Sequence, residues 1–231
     1  MEMMSKIQRL YDACNLVFSK RPQQQSFREI RWLQSLLDTL EAVDVGIDQS
    51  NGEESGSMGN EFSQITYIHI HQCDYFSIGM FCFPAGAKLP LHDHPQMTVL
   101  TKLLYGSVAV KAYDWVNNGS EKSGGLAGVA VDCVMQAPCG ATVLFPRSGG
   151  NIHSFTALTP CAVLDVLSPP YSEELGRPSN YYTSIPIPLL PGYVILEEEK
   201  ELPDDLIVVS APYLGPELIV EDDEDELDLC S

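Results

Sequence analysis

Between Ile65 and Leu167 the apolar residues recur at every second position, in short runs cut by Gly, Pro and Asn. This period-two pattern constrains the fold more than any other feature of the chain. The runs Ile65 to His71, Tyr75 to Phe83, Met97 to Tyr113, Val129 to Met135, Ala141 to Phe145 and Cys161 to Leu167 read as strands. No helical period alternates with them, so a parallel sheet with crossover helices is disfavoured. Many short strands with frequent turns predict a mainly β architecture, an antiparallel sandwich or small barrel.

Two helices precede it. Residues 6–19 place Ile7, Leu10, Tyr11, Cys14, Val17 and Phe18 on one face. Ser26 and Glu29 have the spacing of a capping box, and Ile30, Leu33, Leu36, Leu37 and Leu40 carry an apolar face to about Val43. The expected organisation is a helical pair over 1–47 packing on the barrel, a flexible Gly/Ser-rich loop over 48–60, the β domain over 61–220 and an acidic tail over 221–231. Leu206 to Val209 and Leu218 to Val220 could add edge strands.

The formal charge of −19 excludes some partners. Fourteen acids and one base lie from Glu197 onward, so most of the excess belongs to the C-terminal segment. Without a basic footprint, nucleic acid and anionic membranes are not expected partners. No apolar run approaches the roughly 18 residues of a membrane span, and the first 30 residues lack a secretory pattern. The seven cysteines form no Cys-x-x-Cys and read as small buried thiols in a reducing compartment. Cytoplasm and nucleus are therefore the expected locations, and a monomer the expected state.

The five histidines carry the chemistry. His92-Asp93-His94 follows a Gly/Pro-rich stretch, and His-x-His on a strand would turn both imidazoles to one face. His153 lies 59 residues beyond His94, and an antiparallel fold could return it to the pair. Gly86, His92, His94 and Gly106 have the spacing of the first cupin motif, but its glutamate position falls on Val99 or, in the shorter register, Thr98. Gly140, Pro146 and His153 resemble the second motif with a longer turn. Three neutral ligands replace the familiar two-His-one-carboxylate set of iron oxygenases. A metal so held keeps more positive charge and should favour an anionic ligand such as a thiolate, with room for O2.

Other residues have both plain and functional readings. His69 and His71 read as cross-strand packing. Asp165, within the apolar run 162–167, either bonds a turn or orients a substrate ammonium or a ligand His. Tyr171, at a strand exit, is either a rim residue or a hydrogen-bond donor and acid. A non-enzymatic cupin binding module and a three-His zinc isomerase remain alternatives to an oxidase at this level.

Longer blocks sharpen the reading: Pro-Leu-His-Asp-His-Pro-Gln-Met-Thr-Val-Leu (90–100), Leu-Tyr-Gly-Ser-Val (104–108), Tyr-Asp-Trp (113–115), Ser-Gly-Gly-Asn-Ile-His-Ser-Phe (148–155), Leu-Asp-Val-Leu-Ser-Pro-Pro-Tyr (164–171), Pro-Asp-Asp (203–205) and Pro-Tyr-Leu-Gly-Pro (212–216). Together they resemble the plant cysteine oxidases, which with the cysteamine dioxygenases form a thiol dioxygenase branch of the cupins. The resemblance implies a double-stranded β-helix, or jelly-roll, and an Fe(II) cofactor held by His92, His94 and His153. It implies O2-dependent oxidation of an N-terminal cysteine to the sulfinic acid in proteins beginning Met-Cys, marking them for degradation. It places Asp165 in catalysis and Asp165, Tyr171 and Tyr181 at the substrate. Where relatives often carry Cys-x-Tyr, this chain has Ser179-Asn180-Tyr181, so a thioether crosslink at that position is chemically impossible.

Overall fold

The structure is a computed structural model that describes residues 4–19, 25–47, 63–116, 124–201 and 206–220. The expected 48–60 loop, the 221–231 tail and Pro203-Asp204-Asp205 lie outside the described residues.

Helices α1 (Lys6–Phe18) and α2 (Phe27–Asp38) start on serine caps, and Ser26 with Glu29 completes the capping box. The α2 face does not run on to Val43. Asp38 ends the helix, its carboxylate drawn to the Lys102 ammonium at 3.3 Å and to the Ala141 N–H. A short 3-10 turn (Ala42–Val45) follows, and Val43 is 67% exposed.

Twelve strands follow among the described residues. They are β1 (Ile65–Gln72), β2 (Ser77–Phe83), β3 (Lys88–His92), β4 (Thr98–Tyr105), β5 (Ser107–Trp115) and β6 (Gly124–Gln136). Then come β7 (Thr142–Leu144), β8 (Ile152–Ala157), β9 (Cys161–Ser168), β10 (Tyr181–Pro186), β11 (Tyr193–Glu199) and β12 (Val208–Ala211). One sheet has the order β12-β1-β2-β9-β4-β7. The other, β10-β11-β6-β5-β8-β3, closes on itself where Tyr181 pairs with His92. This is the jelly-roll barrel that the resemblance implies, and one of the two β architectures that the strand pattern left open.

Several boundaries differ from expectation. The run from Met97 to Tyr113 is two strands, because Gly106 takes φ 81° and a Cβ there would lie 2.2 Å from the Pro160 carbonyl oxygen. The strand expected to carry His92 and His94 is β3, which stops at His92. Strands β8, β10 and β11 were not anticipated, since His153 and the acids of 197–199 mask the alternation. Of the two C-terminal edge strands only one forms, and β12 pairs parallel to β1. Residues 218–220 instead run beside α1, where the Gln8 amide accepts the Ile219 N–H at 2.8 Å and donates to its carbonyl at 2.9 Å.

Alternation divides the core into layers. Ala162, Leu164 and Val166 of β9 face outward under the helices with Ile78, Met80, Leu10, Leu33 and Leu37. Each fully buried leucine in that layer contributes about 1.5–3 kcal/mol. Cys161 and Val163 face inward with Phe83, Leu103, Val110 and Phe155. By the same alternation Asp165, His153 and Thr101 face between the sheets, at the end of that core.

Candidate metal centre

The three histidines converge although they come from different contexts. His92 ends β3, and His153 is its cross-strand partner on β8. His94 is not on a strand, contrary to expectation. Pro95 follows it and the chain turns, with Gln96 at φ 62° and the Met97 N–H donating back to the His94 carbonyl at 3.1 Å. The three ring centroids lie 4.7–4.9 Å apart, and one nitrogen from each ring falls within 4.8 Å of the others.

Each ring is oriented through Nδ1. That nitrogen donates to the Pro90 carbonyl from His92 at 2.9 Å, to the Asn151 carbonyl from His94 at 2.9 Å and to the Gly150 carbonyl from His153 at 3.3 Å. A carbonyl can only accept, so the proton sits on Nδ1 and the Nε2 lone pair is left for a ligand. All three are buried, and loss of solvation holds their pKa values low, His94 down to about 3. The proximity of the other rings adds to the shift for His94 and His153. The three imidazoles are therefore neutral at physiological pH, the form that binds a metal. This donor set fits a divalent transition metal.

The surroundings are asymmetric. Val99, one of the two positions at which the motif's glutamate would fall, is buried in an apolar wall with Met97, Leu144 and the partly buried Leu167 and Tyr171. Asp165 accepts the Thr101 hydroxyl at 2.6 Å, and loss of solvation holds its carboxyl up to about 6. The Tyr171 ring lies 5.6 Å from His94 and its hydroxyl donates to the Asp93 carbonyl at 2.7 Å. The Tyr181 ring lies 6.2 Å from His92. Ser179 neighbours both phenols and slightly offsets the rise in their pKa values. Burial raises the pKa of both phenols, so they stay protonated donors.

His71 packs at 4.8 Å on Tyr11 of α1 and at 5.2 Å on Phe76, while His69 is exposed. His71 thus packs on both α1 and the residue that leads into β2, and neither histidine joins the three-histidine cluster. A groove of about 660 Å³ opens beside Tyr171 and Tyr181, lined also by Glu173, Arg177 and Glu198. A larger hollow of about 1240 Å³, lined by Lys111, Ser154 and Thr156, lies on the opposite face of β5 and β8 and contains none of the three histidines.

Residues not singled out in the sequence complete the centre. The buried Asp93 carboxylate accepts the Asn180 N–H at 2.9 Å and the Tyr182 hydroxyl at 3.0 Å, tying β10 to the ligand turn. Asn151 and Asp114 hold His94 from the other side. All three stand inside the blocks 90–100, 113–115 and 148–155, but nothing in their spacing distinguished them from neighbours.

Comparison with known proteins is consistent with this geometry. The family model PCO_ADO matches residues 36–218. Plant cysteine oxidase 2 of Arabidopsis thaliana is 40% identical over 226 residues, covering 91% of this chain and 82% of that protein. Human 2-aminoethanethiol dioxygenase is 30% identical over 233 residues, covering 85% and 84%. Among solved structures, an RmlC-like cupin from Shewanella frigidimarina NCIMB 400 aligns with a TM-score of 0.35 at 14% identity, covering 51% of this chain and 96% of that one.

Proposed function

This chain belongs to the PCO_ADO family and is a thiol dioxygenase acting on cysteine; within that activity we propose that its substrate is the N-terminal cysteine of a protein or peptide. The thiol R–SH and O2 give R–SO2H, with both oxygen atoms on sulfur and no other product. Family membership sets aside the non-enzymatic module and the zinc isomerase. The observation that carries the reading is the convergence of three neutral, Nδ1-anchored histidines with no carboxylate among them.

We assign Fe(II) as the cofactor of His92, His94 and His153. When bound, it supplies a Lewis acid that lowers the thiol pKa and a redox centre for the reaction of sulfur with O2. The chain's own groups do the rest. Asp165, inward-facing and with its carboxyl held up to about 6 by burial, accepts a hydrogen bond from the substrate α-ammonium and fixes the sulfur beside the centre. Tyr171 and Tyr181 stand at the mouth, Tyr181 as a protonated donor to the substrate backbone and Tyr171, whose proton is given to the Asp93 carbonyl, as an acceptor through its hydroxyl oxygen. The groove beside them gives the rest of a peptide a way out. In the cell the product would mark regulators that begin Met-Cys for degradation, in cytoplasm and nucleus. The six cysteines of the described residues are all free, which suits a reducing compartment.

The test uses Fe(II)-loaded protein with a Cys-initiated peptide, free cysteine and cysteamine in parallel. Mass spectrometry should show two oxygen atoms added to the peptide, faster than to either small thiol. Faster turnover of cysteamine would contradict the substrate class. Iron should be the metal after native purification, and zinc would contradict the cofactor. A reporter beginning Met-Cys should persist in cells lacking the enzyme, and fractionation should find the enzyme with cytosol and nuclei rather than secreted material.

A further inference from the structure

The last regular row of partners across β3, β8 and β5 is His92, His153 and Ala112. Two residues further along the same register, His94 would face Asn151, and Asn151 would face Asp114. Backbone pairing has stopped there, because β3 ends at His92 and β8 begins at Ile152. Side chains carry the row instead. The Asn151 amide accepts the His94 N–H at 3.0 Å and donates to the His94 carbonyl at 2.9 Å. These are the two bonds that a facing residue exchanges in an antiparallel ladder. The same amide donates to the Phe145 carbonyl at 3.0 Å, and the Asn151 carbonyl accepts His94 Nδ1–H.

Asp114 secures Asn151 in turn. Its carboxylate accepts the N–H of Gly150 at 3.0 and 3.1 Å and that of Asn151 at 3.0 Å. Gly150 takes φ 85°, and a Cβ there would lie 2.5 Å from the Ala112 Cβ, so the turn presses onto β5 as only glycine allows. Asn151 is buried and every polar atom of its side chain is used.

We propose that Asn151, held by Asp114, is the positioning residue that aims His94 at the metal. His94 is the ligand that needs it, being the one of the three that lies on no strand. The inference rests on the three histidines forming a metal site.

Co(II) added to the metal-free protein is the probe, followed by its visible spectrum and by chelator competition. The parent should bind one equivalent; if it binds none, the metal-site reading itself fails. In Asn151→Ala the affinity should fall about 10–100-fold and the spectrum should change, with the circular dichroism of the metal-free protein retained. Asp114→Asn, which keeps one acceptor oxygen, should show a smaller loss in the same direction. Parent-like affinity and spectrum in a folded Asn151→Ala protein overturn the assignment. So does unfolding of both variants without metal, since the row would then serve the fold alone.

Discussion

Asp165→Asn should make the protein more stable and a worse enzyme. The Asp165 carboxyl is held up to about 6 from an ordinary value of 3.8, because its charge loses solvation inside the barrel. A folded pKa above the unfolded one means that the native chain holds the proton longer. The destabilisation is therefore absent below about pH 4, grows as pH rises between the two values and is complete above 6. Two units at about 1.4 kcal/mol each set a ceiling of about 3 kcal/mol. Asparagine removes the charge and keeps an oxygen for the Thr101 hydroxyl, but its N–H2 needs new partners, so the expected gain is about 1–3 kcal/mol. For a chain of this size that raises the melting midpoint by roughly 2–12 °C at pH 8. Urea or thermal melts of metal-free parent and variant, from pH 4 to 8, test it. The difference should be near zero at pH 4 and open through 6. A difference independent of pH, or a variant less stable at pH 8, would refute the electrostatic argument. Turnover on a Cys-initiated peptide should fall about 10-fold or more with iron retained, as one charge-assisted hydrogen bond is lost. Unchanged turnover would remove the role assigned to Asp165.

His153→Ala should leave two anchored imidazoles and abolish stoichiometric iron binding; retained iron by metal analysis would show that the cluster is not the site. Tyr171→Phe removes the 2.7 Å bond to the Asp93 carbonyl and should raise KM for the peptide about 2–10-fold at constant iron content, so an unchanged KM counts against its place at the mouth. Gly79 faces Asp165 across β2 and β9, and a Cβ there would meet the Tyr67 hydroxyl at 2.5 Å. Gly79→Ala should cost about 1–3 kcal/mol in urea denaturation, and an unmoved midpoint would show that the Tyr67 ring can swing away. Asp38→Ala leaves the buried Lys102 ammonium on the Cys139 carbonyl alone, at 2.7 Å, and should destabilise by about 1–3 kcal/mol. A parent-like midpoint would show that apolar contacts dock α2 unaided.

The fold was legible where pattern and burial coincide. Ile78, Met80 and Cys82 alternate cleanly because one face of β2 lies under the helices. Alternation failed to show β8, where His153 and Ser154 are polar yet buried for the sake of the site. It overran Gly106, whose turn is invisible to a count of apolar residues. The three converging histidines were legible because a motif needs few residues at fixed spacing. Asp93, Asp114 and Asn151 were not, because a side chain that completes a ladder is defined by register, and register is set by partners far along the chain.

The central claim is that three neutral histidines direct both atoms of one O2 to the sulfur of an N-terminal cysteine. Its most direct measurement is mass spectrometry of a Cys-initiated peptide turned over by the Fe(II)-loaded protein under isotopically heavy O2. Two heavy oxygen atoms on the N-terminal cysteine sulfur are the expected result, with no gain on a peptide whose α-amine is acetylated. One heavy atom with one from water, or no gain with iron bound, would contradict the reaction, and equal oxidation of the acetylated peptide would contradict the substrate.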